Sequence, residues 1–158
     1  MDVFPLQLRQ YFFTKVTSEA NPEYDPTGNL RGTHITPKFS SNLLDGQNAI
    51  AIDCVISVDR DASENVPYFF EIAAFGVLDI LADTPLEIAL SNAQVSGIQI
   101  LVGAIREKLA GITSRGPWGA FMLPIVPIVP LAPVSPEQSQ RKPEIQDTKD
   151  TSRIDDSK

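Results

Sequence analysis

Two side chains could begin covalent or metal chemistry at neutral pH, His34 and Cys54, and each is the sole member of its kind. A Ser–His triad or a histidine metal centre would therefore have to be built around His34 alone. Its position at the start of a strand pattern reads as an ordinary strand-end residue. Cys54 falls in the inward register of the run AIAIDCVISVD, where a thiol acts as a small apolar filler and not as a nucleophile. The chain has no GxSxG elbow, no GxxxxGK[ST] phosphate loop and no GxGxxG turn. Arg106 and Glu107 stand side by side, and neighbours at i,i+1 point away from each other on a helix. They read either as solvated helix charges or as residues that meet another subunit. The expectation is a protein that is not an enzyme, with no cofactor and no metal.

The elements that hold these residues are legible from their periods. Residues 6–19 read as a strand with Leu6, Leu8, Phe12 and Val16 on one face and Arg9, Tyr11, Phe13, Lys15 and Glu19 on the other. Residues 20–33 are rich in turn formers, and Tyr24 and Leu30 are their only sizeable apolar groups. This loop is expected to cross the surface instead of closing a tight hairpin. Residues 34–43 form a weaker strand, and Pro37 within it predicts an edge position or a bulge. Asp45-Gly46 marks a turn. Residues 49–59 alternate cleanly, with Ile50, Ile52, Cys54, Ile56 and Val58 inward. Residues 67–81 make the last strand, with Tyr68, Phe70, Ile72, Ala74, Leu78 and Ile80 inward and Phe69, Glu71, Phe75, Val77 and Asp79 outward. On these assignments Phe69, Phe75 and Val77 crowd the outer side of the sheet together with Tyr11 and Phe13, a patch that suits a protein contact.

Ile98, Val102, Ile105, Leu109 and Ile112 then recur at steps of four and three, which predicts an amphipathic helix ending at Gly116 in the C′ position. A second stripe on it is small: Gly97, Ala104 and Gly111 are spaced seven apart. Glycines lower helix propensity, so several in one helix predict the close approach of another backbone. After the helix, prolines 124, 127, 130 and 133 recur in threes, the period of polyproline II. That period puts Ile125, Ile128, Leu131 and Val134 along one edge. The ladder either lies along its own subunit as the wall of a groove or projects as a ligand for a partner. The expected fold class is α+β: a four-stranded antiparallel sheet covered on one face by a long C-terminal helix, with a proline-rich extended segment after it. Residues 1–134 form one domain, and residues 135–158 form a disordered charged tail.

Composition narrows the partners. The net charge is −7, and residues 135–158 carry six acids and five bases, so nearly all the excess lies on the folded part. Nucleic-acid binding depends on phosphate neutralisation by Lys and Arg, which this balance disfavours. One cysteine forbids an internal disulfide and fits a reducing compartment. The N-terminus MDVFPLQLRQ lacks the basic and apolar regions of a signal peptide, and no uninterrupted apolar run approaches the ~18 residues of a membrane span. A cytoplasmic protein without membrane insertion is expected.

The run ILVGAIREKLAGITSRG, followed by an extended segment with Leu123 and Pro124, resembles the closing helix of the SecB family of export chaperones. The matching positions are Arg106, Glu107, Ser114, Arg115 and Gly116. YFFEIAAFGVLDI resembles the family's last strand, and the resemblance spans roughly residues 5 to 131. It implies a holdase that keeps client polypeptides unfolded and delivers them to the SecA translocase motor. It also implies a homotetramer built as a dimer of dimers, with the stripe Gly97, Ala104 and Gly111 suited to helix stacking. By resemblance, Phe69, Glu71 and Phe75 on the outer face would bind the motor or another partner. Apolar client segments would meet Tyr11, Phe13, Tyr24, Leu30, Ile125 and Ile128. On the first strand, Val16 and Ala20 stand where the family places acids, with Glu19 one step away. The family's second helix is replaced here by the proline ladder. Both departures favour a second reading, a SecB-like chaperone dedicated to one partner such as the antitoxin of a toxin–antitoxin system.

Overall fold

Alternation in AIAIDCVISV and YFFEIAAFGVLDI buries one face of each strand and, at Ala49, Ala51 and Val77, part of the other, as suits the two central strands of the sheet. The structure, a computed structural model, describes residues 4–28, 33–81 and 83–128. The elements run β1 (Leu6–Ala20), β2 (Ile35–Leu44), β3 (Ala49–Val58), β4 (Tyr68–Ile80), α1 (Leu86–Asn92), a π-helical turn (Ala93–Gly97) and α2 (Ile98–Thr113). The sheet is antiparallel in the order β1-β4-β3-β2. β1 and β2 therefore occupy opposite edges, and the connection between them must pass the whole end of the sheet, as its turn-rich composition predicts. Asn21 anchors its start through an N–H donated to the Pro67 carbonyl (2.9 Å) and a side-chain amide donated to that of Val66 (2.8 Å). Asn65, at φ 45°, receives the Asp25 N–H (2.7 Å) and donates to the Asp25 carbonyl (2.9 Å). Asparagine is among the few residues that tolerate this left-handed conformation.

Ile50, Ile52, Cys54, Ile56, Ile72 and Leu78 form the sheet side of the core, and Ile98, Leu101, Ile105 and Leu109 form the helix side. Pro37 lies in the edge strand β2, as expected. The expected boundary at residue 134 and the tail 135–158 lie outside the described residues.

The helix begins earlier than its periodicity predicts. Helical structure extends from Leu86, and the π turn inserts an extra residue per turn over Ala93–Gly97, which breaks the 3.6-residue spacing. The heptad count taken back from α2 therefore stops at residue 97. The stretch Leu86–Thr113 is 28 residues long and apolar enough to span a membrane by length and composition. One side of it packs on the sheet, as the buried Ala89, Ala93, Ile98, Leu101 and Leu109 show, while Leu86, Ile88 and Ile100 stay exposed.

The helix end also differs from expectation. Ser114 is the C-cap in right-handed geometry, and Gly119, not Gly116, takes the positive φ of 74°. Gly116 is required for another reason: a Cβ there would collide with the Tyr68 hydroxyl. That hydroxyl accepts the Trp118 N–H (3.1 Å) and donates to the Gly119 carbonyl (2.9 Å). Thr113 continues the network, accepting the Phe121 N–H at its Oγ1 (2.8 Å). The turn after α2 is thus fastened to the start of β4.

Candidate functional site

Two β-bulges in β1 decide what lies on each side of the sheet. The pairing with β4 slips between Leu8 and Gln10 and again between Phe13 and Lys15. Each slip adds a residue and exchanges the faces of everything beyond it. The expected alternation of β1 is therefore wrong over its middle. Tyr11 pairs with Gly76, and Phe13 with Ala74, on the helix-covered face; Phe12 pairs with Phe75 on the outer face. The expected outer cluster of Tyr11 and Phe13 with Phe69 and Phe75 does not form. Val16, opposite Ile72, likewise returns to the helix side after the second slip.

What forms instead is a groove between β1 and α2. Tyr11 and Phe13 stand edge to face with centroids 6.2 Å apart. They face a helix wall of Ala104, Glu107, Lys108, Gly111 and Ile112 across a cleft of ≈300 Å³. Lys108 lays its ammonium 5.4 Å from the Phe13 ring centroid, a cation–π distance. Tyr11 is 44% exposed and Ile112 38%, so large apolar groups stay in water on both walls.

The small stripe on the helix divides. Gly97 faces its own sheet, where a Cβ would lie 2.7 Å from Leu78 Cδ1 and 3.3 Å from Ile52 Cδ1. Ala104 and Gly111 line the β1 groove, and nothing lies within 4 Å of a Cβ at Gly111. Seven residues fall ~20° short of two full helical turns, so successive members of the stripe rotate away from the sheet.

A second groove lies on the opposite flank, between β2 and the helix. Pro37, Phe39, Ser41, Gln94, Ile98 and Ile128 line a cleft of ≈230 Å³. Ile128 reaches it because the segment after the helix turns back along α2. Arg106 holds that segment: its Nε donates to the Leu123 carbonyl (3.1 Å) and its Nη2 to the Pro124 carbonyl (3.3 Å). Leu123 is buried in the core, with Phe121, Val126 and Ile128 packed against it. Ile125 is 91% exposed. The predicted edge shared by Ile125 and Ile128 is therefore not observed, because the path alternates Phe121/Leu123 and Val126/Ile128 towards the protein instead of keeping a strict period of three. Arg106 is thus half-buried and engaged with the backbone of its own chain. Its spacing to Leu123 carries no sequence signal, since backbone carbonyls are its partners.

On the outer face, Phe69, Glu71 and Phe75 are each partly covered by their own subunit. The Arg60 guanidinium sits 4.1 Å over the Phe69 ring and pairs with Glu19 (2.6 Å). Lys15 pairs with Glu71 (2.8 Å), and Phe12 leans on Phe75 with centroids 5.3 Å apart. Arg9 binds Asp79 through its Nε (3.0 Å), and this hydrogen bond raises the Arg9 pKa. Tyr24 meets Trp118 edge to face at 5.1 Å, so the crossing loop packs on the turn after α2. Leu30 lies outside the described residues.

Burial pushes the Cys54 thiol up to about 12, which keeps it protonated and inert. His34 is exposed, and its backbone N–H donates to Ser63 Oγ (2.9 Å). Among the described residues no three His, Cys, Asp or Glu side chains are grouped to hold a metal ion.

No family model and no curated protein matches this sequence. Solved structures do. The SecB-like chaperone Rv1957 of Mycobacterium tuberculosis, in complex with a ChAD peptide from the HigA1 antitoxin, superposes with a TM-score of 0.54. The sequences are 18% identical over 80% of this chain and 94% of that one. A Streptococcus agalactiae protein of unknown function aligns over 76% of this chain and 97% of its own, at TM-score 0.42 and 16% identity. The four-stranded sheet, its β1-β4-β3-β2 order and the long covering helix are those of the SecB-like chaperone fold.

Proposed function

We propose that this chain is a SecB-like holdase of the cytoplasm that binds extended, apolar polypeptide without chemical change, in the groove between β1 and α2. The observation that carries this reading is the pair of exposed Tyr11 and half-buried Phe13 facing a helix wall kept low by Ala104 and Gly111. Burying apolar side chains against such walls gives affinity that tolerates sequence, as a holdase requires. Lys108 and Glu107 at the rim leave room for polar residues between the client's apolar ones.

Delivery to SecA is the first destination to consider, but the pairing of Glu71 with Lys15 leaves little free negative charge around Phe69. That observation favours the second reading, a chaperone dedicated to one partner such as an antitoxin. The Mycobacterium relative bound to an antitoxin peptide supports it further. In either case we expect a homo-oligomer, a dimer of dimers, with the helix layers stacked.

The experiment is suppression of aggregation of a chemically unfolded client by the wild type, Phe13→Asp and Ala104→Leu. Phe13→Asp places a carboxylate in the apolar groove and should weaken holding by about tenfold, since fully burying one large apolar side chain is worth ~1.5–3 kcal/mol. Ala104→Leu fills the cleft and should do the same with an unchanged melting temperature. Light scattering reads the mass of each variant, so loss of assembly is separated from loss of the groove. Equal holding by all three proteins defeats the proposal. Titrations with SecA and with an antitoxin-derived peptide then distinguish the two destinations.

A further inference from the structure

The segment after α2 is held at both ends by parts of the chain distant in sequence. At its start Trp118 donates its indole N–H to the Asn21 carbonyl (3.0 Å) and meets the Tyr24 ring edge to face at 5.1 Å. The same carbonyl accepts the Tyr24 N–H (3.3 Å), so one acceptor both shapes the crossing loop and receives the indole. Asn21 and Asn65 fasten residues 21–25 of that loop to residues 65–67, which makes the loop the fixed side of the contact. At the far end Arg106 holds the Leu123 and Pro124 carbonyls. In between, the Tyr68 hydroxyl bonds Trp118 and Gly119, and Thr113 Oγ1 accepts the Phe121 N–H.

Among the described residues no backbone–backbone hydrogen bond reaches residues 120–128, so side chains alone place them. A stretch without a ladder of its own has little to stop an opening at one end from spreading along it. We propose that residues 118–124 are a strap clasped by the crossing loop at Trp118 and by Arg106 at Leu123 and Pro124, and that this strap opens as a single unit. Opening bares Phe121, whose ring centroid lies 5.6 Å from that of Phe70, together with the buried Leu123. The crossing loop thereby sets how often this flank of the protein offers that apolar surface.

The test is hydrogen exchange of the full-length protein followed by NMR. Trp118 is the only tryptophan, so its indole N–H gives a single signal. The Phe121 amide, bonded to Thr113 Oγ1, is the second probe. Exchange at each follows the population in which its bond is open. In a single unit both probes report the same opening, so a substitution at either clasp should speed both by the same factor. Tyr24→Ala should speed both about two- to tenfold, as loss of an edge-to-face aromatic pair implies. Arg106→Met should speed both about tenfold. Tyr24→Phe keeps the ring and should leave both at wild-type rates. The amide of Ile52, in central β3, should not change in any variant. A Phe121 amide unmoved by Tyr24→Ala, or an indole unmoved by Arg106→Met, overturns the single unit, since each contact then acts alone. Speeding by Tyr24→Phe, or an indole unmoved by Tyr24→Ala, removes the crossing loop as a clasp. Equal speeding at Ile52 makes the opening global and overturns the strap. No client enters these measurements, so they decide the strap independently of the polypeptide-binding reading.

Discussion

Arg106→Met should loosen the segment after the helix without unfolding the domain. The guanidinium donates to two backbone carbonyls, at 3.1 Å to Leu123 and 3.3 Å to Pro124. A hydrogen bond from a charged donor contributes ~1.5–3 kcal/mol when buried. The bond to Pro124 is exposed and long, so the pair together is expected to contribute about 1.5 kcal/mol. Leu123, only 3% exposed, adds ~2 kcal/mol through burial and survives the substitution. The segment should therefore remain docked but open about tenfold more often. Limited chymotrypsin digestion reads this directly, because cleavage of a transiently open site follows its equilibrium population. The Phe121–Met122 bond should be cut about tenfold faster in Arg106→Met and at the wild-type rate in Glu107→Met, which alters an exposed neighbour. The melting temperature should move little, since the opening is local. Equal cleavage of all three proteins would refute the staple.

Gly97→Ala and Gly111→Ala should have opposite signs in thermal unfolding. The first forces a Cβ to 2.7 Å from Leu78 and should cost about 1–2 kcal/mol, moderated by movement of the leucine tip. The second meets nothing within 4 Å and should stabilise by up to ~1 kcal/mol through helix propensity, and a common sign would contradict the division of the stripe. Cys54 predicts a pH dependence at the alkaline end. Its thiol rises from 9.0 to about 12 on folding, so the unfolded chain releases a proton in a window where the folded one retains it. Its contribution is complete below pH 9 and falls between pH 9 and about 12, by at most ~1.4 kcal/mol per pH unit. Denaturation of Cys54→Ala over this range should lack that slope, and native protein at pH 8 should resist iodoacetamide until unfolded.

The parts of the fold that could be read in advance are those in which local chemistry and burial agree. β3 and β4 alternate because both are central, and the sheet order follows from a crossing loop that leaves β2, with Pro37, at an edge. The parts that could not be read are insertions of a single residue. In β1 the polar and aromatic residues QYFFTK satisfy either face, so nothing in them marks where the register slips. In the helix, SNAQVSG carries Val95 as its one large apolar residue, too few to set a period that would reveal a π turn. Arg106 was visible as a matched position in a resembling family, yet its partners are carbonyls, which leave no side-chain signature. Gly116 was legible as a necessary glycine, but the need comes from Tyr68, distant in sequence, and not from the helix end.

The two slips in β1 are what give this sheet two different surfaces. Without them, Tyr11 and Phe13 would share the outer face with Phe69 and Phe75, and a broad apolar sheet face would lie open to association. With them, the outer face keeps Phe12 against Phe75 among the pairs Arg9–Asp79, Lys15–Glu71 and Arg60–Glu19, while Tyr11 and Phe13 turn towards α2. The same strand thereby places charge where solvent or a folded partner meets the sheet, and aromatic surface where the helix leaves a cleft. β1 is an edge strand paired with β4 on one side only, so its other edge keeps unpaired backbone groups next to this cleft. On the proposed reading, such a cleft would hold apolar chain by side-chain burial and release it unchanged.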